Sequence, residues 1–292
     1  MNKKILLIIF DAEGLPRIKT WKDVSANFKT DKPTKKLINT AKKTIESVII
    51  GAENSGFNKI IILDWHATFN NIPRKGIKKK SSTILKILQG NSSNFKSSLK
   101  KSSCAVLIGM HGKYKSADGK PPMSNEEFKK NSPKGLGHVL EFSIKNLYIN
   151  SKSVGESVFL HNLLSEYDVP IFFVLGTRSA IIEIKKYNSK IRTLSNNCSY
   201  ESIKNFVEKS LNQKLYSVKK PIYKNLFIEF KHSKNPNIDL NFILANRDEF
   251  VRMKSKKVIV KDRKIFFKPE SKTPFLEIFY LMSLRHNYNS IE

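Results

Sequence analysis

Three short apolar runs each stop abruptly at side chains able to hold a metal or move a proton. Ile5 to Phe10 ends in Asp11-Ala12-Glu13-Gly14, Lys59 to Leu63 in Asp64-Trp65-His66, and Cys104 to Gly109 in Met110-His111-Gly112. Runs this short, rich in β-branched residues and without polar alternation, read as central strands buried on both faces. A chain holding several of them is constrained toward a sheet covered by helices on both sides, with its chemistry collected at one edge.

The segments between the runs fit that constraint. Lys35 to Ser55 carries Leu37, Ile38, Ala41, Ile45, Val48 and Ile49 at helical spacing, and Gly56 follows as a terminator. Ser82 to Leu88 reads as a further helical stretch. Lys113 to Gly137 is rich in Lys, Ser, Pro and Gly without periodicity, which predicts a long surface loop able to act as a lid. Val139 to Asn150 reads as a strand or hairpin, Glu156 to Glu166 as a helix, Pro170 to Leu175 as a buried strand and Tyr200 to Leu211 as a helix. Composition shifts near Lys219-Lys220-Pro221. Beyond it Leu226 to Phe230, Lys257 to Val260 and Lys264 to Phe267 look antiparallel, followed by a helix over Thr273 to Leu284. The expected architecture is α/β, with a mixed, mainly parallel sheet flanked by helices in residues 1–215 and a smaller C-terminal α+β domain in 216–292.

Charge bears on the choice of partner. The 292-residue chain has a formal net charge of +28, which in some proteins marks phosphate binding. Here the excess is lysine scattered among Asn, Ile and Ser, with arginine scarce, so compositional bias explains it better than a recognition stripe. Lys78-Lys79-Lys80 reads as a solvated loop, and nucleic acid is not the expected partner. The apolar start carries lysines but reaches Asp11 without a small-residue cleavage site, and no later run is long enough to span a membrane. With only two cysteines, Cys104 and Cys198, no disulfide framework is expected and a cytoplasmic location follows.

In open α/β sheets ligands bind beyond the carboxyl ends of the strands. Asp11, Glu13, Asp64, His66 and His111 all stand there, and mixed carboxylate and imidazole groups suit zinc. Asp11 and Glu13 are two apart and can face the same way in an extended segment, with Gly14 allowing a tight turn beneath them. Taken singly, an Asp or Glu after a strand is a cap or loop residue, and a histidine there is often structural. Convergence of three separate strand ends on one edge is what points to a metal site.

These residues, taken in order, carry a resemblance. Asp11-Ala12-Glu13-Gly14, Asp64-Trp65-His66 with Asn70-Asn71, Gly109-Met110-His111, Tyr148-Ile149-Asn150 with Val154-Gly155-Glu156, and Tyr167-Asp168-Val169-Pro170 resemble the motif series of the D-aminopeptidase family. The likeness spans roughly residues 5–180. It implies that Asp11, Glu13, His66, His111 and Glu156 bind two zinc ions per subunit with Asp11 bridging them, and that His138 acts as general acid/base or steadies the oxyanion. It further implies a metal-dependent aminopeptidase that uses a hydroxide between the metals to release the N-terminal residue of short peptides, D-residues included, within a ring-shaped, decamer-like homo-oligomer. Asp64 and Asn70 are expected to orient His66. His161, five residues after Glu156 on the predicted helix, is assigned to packing. His232 and His286 receive no role.

The chain also departs from the family. His138 stands between Gly137 and Val139 rather than among small hydroxyl residues, and the loop before it is longer. Gly176-Thr177-Arg178 replaces acidic residues, putting positive charge where a substrate amine would be held. Two other readings therefore stay open: a family member that keeps its metals but has lost turnover and serves as a ligand-binding or scaffold protein, and a basic nucleic-acid-binding protein.

Overall fold

The computed structural model describes residues 4–26, 32–66, 70–89, 94–120, 122, 124–130, 136–138, 140, 144–214, 218–220, 224–230, 258–261, 264–267, 275 and 278. Six strands form one parallel sheet: β1 (Ile5–Phe10), β2 (Lys59–Asp64), β3 (Ile84–Gln89), β4 (Cys104–Met110), β7 (Ile171–Gly176) and β8 (Arg192–Ser195), in the order β3-β2-β1-β4-β7-β8. β5 (Ile144–Ile149) and β6 (Lys152–Val154) belong instead to an antiparallel sheet with β9 (Leu226–Phe230), β10 (Val258–Lys261) and β11 (Lys264–Phe267), in the order β10-β11-β9-β5-β6. The boundary expected between residues 215 and 216 thus falls within the chain that supplies this second sheet.

Side-chain alternation divides the core into two layers. From β1, Leu7 and Ile9 face one side while Leu6, Ile8 and Phe10 face the other; from β4, Ala105 and Leu107 oppose Cys104, Val106 and Ile108. Helices α2 (Lys35–Asn54) and α7 (Tyr200–Leu211) cover one face through Leu37, Ile45, Val48, Ile203 and Val207. The other face is covered by α3 (Phe95–Lys101), α5 (Glu156–Glu166), α6 (Arg178–Tyr187) and the inner side of the antiparallel sheet, through Phe95, Phe159, Leu163, Ile184, Leu147 and Ile228. Leu6 to Phe10 are all fully buried, so β1 alone contributes on the order of 10 kcal/mol of transfer free energy before entropy is counted.

Helix α2 is bounded as its sequence predicts. Thr34 caps it by accepting from the Leu37 amide at 2.9 Å. At the other end Gly56 takes φ +83°, and the Phe57 amide donates to Ala52 O at 3.0 Å, a left-handed termination open mainly to glycine.

Several sequence readings change. Ser82 to Leu88 is not helical; it holds the edge strand β3, where Ile84 is 60% exposed and Leu88 is buried. A short apolar run fits either period, and pairing with β2 decided it. The stretch from Lys113 to Gly137 includes the helix α4 (Asn125–Lys129), capped by Ser124. α3, α6 and β8 had no sequence counterpart. The first of the remaining helices, α1 (Trp21–Val24), is one turn. Of the helix expected over Thr273 to Leu284, only Phe275 and Ile278 are described, both helical and buried; the rest lies outside the described residues. No described helix is long and apolar enough to cross a membrane.

Candidate metal centre

β1 pairs on one side with β2 and on the other with β4, and the crevice where the strand order reverses lies at their carboxyl ends. The backbone is drawn tightly together there. The Asp11 amide donates to Ile108 O at 2.8 Å, and the Gly14 amide donates to Gly109 O at 2.7 Å. A Cβ on Gly14 would overlap the Met110 carbonyl, and one on Gly109, which has φ +79°, would overlap the Asp11 carbonyl. Gly14 is therefore demanded by close approach to β4.

This packing brings Asp11 and Glu13 against His66 and His111. His66 Nδ1 lies 3.3 Å from Asp11 Oδ1 and 3.0 Å from Glu13 Oε2. His111 Nε2 lies 3.4 Å from Asp11 Oδ2 and 3.6 Å from Glu156 Oε1. Glu156 arrives as the first residue of α5, behind the N-cap Gly155, where the helix dipole favours a carboxylate. The Leu140 amide, on a residue with φ +58°, donates to its Oε1 at 2.6 Å.

His138, on the 136–138 segment, completes the cluster. Its Nε2 is 3.8 Å from both Glu13 Oε1 and Glu156 Oε1, and its ring stacks on His111 at 4.2 Å between centroids. Its Nδ1 is 3.1 Å from Leu136 O, an acceptor only, so Nδ1 carries the proton and Nε2 the lone pair. Trp21, buried, meets both His66 and His138 with ring centroids 6.1 and 6.3 Å away and closes that side of the site.

All six side chains are buried, yet Asp11 Oδ2, both oxygens of Glu13 and His111 Nε2 have no hydrogen-bond partner among the described residues. Such atoms are costly unless a cation meets them. The ligand atoms group into Asp11, Glu13 and His66, into Asp11, His111 and Glu156, and into Glu13, His111 and His138, each set within 4.8 Å. Two of these triads share Asp11. The donor set therefore fits divalent cations of the zinc type.

Electrostatics in the metal-free site follow from the crowding. Burial alone would lower the pKa of His66, but Glu13 and Asp11 outweigh it and raise it well above the ordinary 6.5. For His111, burial is likewise outweighed by Glu156, Asp11 and Glu13. Burial, helped by Glu13, raises the Asp11 carboxyl, whereas His66 and His111 overcome burial at Glu13 and hold it low. Burial and the neighbouring His111 push His138 down to about 3.

Asp64 and Asn70 do not orient the His66 ring. Asp64 accepts from the amides of Asn71 at 2.6 Å and Ile72 at 3.3 Å, and from the Asn71 side chain at 3.1 Å. Asn71, buried, in turn donates to His66 O at 2.6 Å, so this pair fixes the backbone that carries His66. Asn70 is exposed. His161 packs its ring against Tyr187 and sits 3.2 Å from the Asn188 amide nitrogen, in keeping with a packing role. Two groups escaped sequence reasoning. Asp118 accepts from the Gly112 amide and from Thr177 Oγ1, both at 2.6 Å, while its own carbonyl accepts from Leu136 and Gly137. It thereby ties the His111 turn to the His138 segment. Glu183, on α6, accepts from the Lys113 amide at 3.0 Å. Neither follows an apolar run, so no pattern marked them.

The family model described as D-aminopeptidase, peptidase M55, matches residues 4–124 and 128–234. No curated protein matches the chain. Among solved structures, the Zn-dependent D-aminopeptidase DppA from Bacillus subtilis, described as a self-compartmentalizing protease, superposes with a TM-score of 0.65 at 16% identity, over 99% of this chain and 98% of that one.

Proposed function

The chain belongs to the D-aminopeptidase family and is thereby a metal-dependent aminopeptidase-type hydrolase, and from that premise we propose that it releases the N-terminal residue of short peptides, D-residues included, using two zinc ions. The ligands are Asp11, Glu13, His66, His111 and Glu156. One observation carries this reading: Asp11 belongs to two carboxylate and imidazole triads at once, one with Glu13 and His66, the other with His111 and Glu156. A shared carboxylate between two such sets is the arrangement a dinuclear centre needs.

When bound, zinc supplies Lewis acidity toward the scissile carbonyl and toward water. The protein's own groups do the rest. Asp11 divides its oxygens, Oδ1 toward His66 and Oδ2 toward His111. His138 is the general acid/base: Nδ1–H is committed to Leu136 O and its low pKa keeps Nε2 unprotonated at rest, so Nε2 takes the proton of the attacking water only transiently and passes it to the departing amine. The Trp21 ring, 1% exposed, excludes water from the same side. We extend the proposal to a cytoplasmic, ring-shaped, decamer-like homo-oligomer; what supports it is the fold shared with a protein described as self-compartmentalizing.

Metal analysis of the purified protein, of His66→Ala and of Glu156→Ala tests the site, alongside hydrolysis of matched L- and D-peptides. Two zinc equivalents in the parent, fewer in each variant, and turnover abolished by chelator are expected. Unchanged stoichiometry in both variants overturns the ligand set. A fully loaded protein that turns over no peptide overturns the aminopeptidase.

A further inference from the structure

His111 differs from a simple ligand in how its far nitrogen is held. Its Nδ1 is 2.9 Å from Gly112 O, the carbonyl of the very next residue, so Nδ1 donates, and Nε2, which faces Asp11 and Glu156, is the nitrogen that offers a lone pair once a metal displaces its proton. The peptide that carries this carbonyl ends in the Lys113 N–H, and that N–H donates to Glu183 Oε1 at 3.0 Å. One peptide unit is therefore loaded at both ends in the same sense, with a carboxylate on its N–H and an imidazole N–H on its oxygen. Such chains polarise one another, strengthening each link.

The surroundings leave this peptide little freedom. Asp118 takes the Gly112 amide at 2.6 Å, and a Cβ on Gly112 would press on Ser116, Ser179 and Asp118. Glu183 is fixed just as closely. Its second oxygen, Oε2, is buried with no partner among the described residues and lies where a Cβ on Gly155 would overlap it. Helix packing does not need a carboxylate there, and desolvating one is unfavourable unless its charge is used. Imidazoles that bind metals commonly give their other N–H to a carboxylate or a carbonyl, which sets the tautomer and raises the basicity of the ligating nitrogen.

We propose that Glu183 is a positioning residue for His111, acting through the Gly112–Lys113 peptide to fix the ring and strengthen Nε2 as a metal ligand. The inference rests on the two-zinc reading of the site. It extends that site to α6, an element with no ligand of its own.

The test is zinc affinity in the full-length chain, stripped of metal and titrated with zinc against a competing chelator. Glu183→Ala weakens one of the two ions about tenfold and leaves the other unchanged, while Glu183→Gln, which keeps an acceptor for the Lys113 amide, restores most of the loss. Glu183→Leu, which keeps bulk for packing, gives the same loss as Ala and serves if Ala does not fold. In a His111→Ala background the Glu183 substitutions cost nothing further, because the path runs through the missing ring. Parent-like binding of both ions by Glu183→Leu, or an equal loss with and without His111, overturns the proposal alone. Unchanged zinc stoichiometry in His111→Ala overturns the site reading beneath it.

Discussion

The Asp11 carboxylate faces the His111 imidazole across the crevice between β1 and β4, Oδ2 to Nε2 at 3.4 Å, and neither atom has a hydrogen-bond partner among the described residues. Its other oxygen is engaged with His66. A group shared in this way predicts unequal consequences for the carboxylates. Asp11→Ala is expected to lose both zinc ions, whereas Glu13→Ala and Glu156→Ala each lose one. Elemental analysis after gel filtration reads the difference, and one retained equivalent in Asp11→Ala would show that the residue is not shared.

Acidity should govern metal loading. In the metal-free chain the carboxylates raise His66 and His111 well above 6.5, so both rings hold protons at neutral pH and zinc must displace them. Affinity therefore climbs with pH, and calorimetry in buffers of different ionisation enthalpy should detect close to one proton released per imidazole. The sign for stability is the reverse: a raised folded pKa stabilises below 6.5, and the gain is lost as pH rises through the folded value. Metal-free protein should melt earlier as pH climbs through that window, with added zinc abolishing the trend. Pairs of melting curves that do not diverge would refute this.

Gly109→Ala is expected to be more severe than Gly56→Ala, although both positions have positive φ, +79° and +83°. A methyl at Gly56 meets nothing, so only the backbone term of about 1 kcal/mol applies. At Gly109 it overlaps the Asp11 carbonyl, adding a steric term for a total above about 2 kcal/mol and displacing Asp11. Denaturant midpoints and zinc content should separate the two, and equal losses would sink the argument.

His161 offers an acid-sensitive element outside the carboxylate and imidazole cluster. Burial lowers its pKa to about 4 from 6.5, so the folded chain keeps the ring neutral while the unfolded chain protonates it. Stability is then fully present above 6.5 and falls as pH drops toward 4, by about 3 kcal/mol. His161→Phe cannot take up the proton, so its stability should decline less over that interval. Parallel profiles for parent and variant would exclude the effect.

The parts of the fold that could be read from the sequence were those with one dominant physical cause. β1 and β4 are buried on both faces, so nothing but apolar side chains suits them, and their ends name Asp11 and His111 without further help. β3 is an edge strand with Ile84 and Lys86 exposed and Leu88 buried, and its identity came from pairing with β2. β8, the opposite edge, is mostly polar for the same reason. Glu156 and His138 follow no strand of the main sheet, and only their place in the motif order singled them out. Glu183 had no signal at all: on α6 it is one charged residue among several, and its role depends on where α6 lies against Gly155 and Lys113, a matter of tertiary packing.

The antiparallel sheet and the chain beyond it bind distant segments to α5, the helix that Glu156 opens. β9 supplies the outer partner of β5, Phe275 packs on Phe159 of α5, and the Phe275 amide donates to Glu166 at the end of the same helix. A protein shortened after residue 215 would leave β5 as a bare edge and uncover Phe159 one turn from Glu156. The tail is thus a buttress for α5, and trimming it would loosen the helix end that carries Glu156.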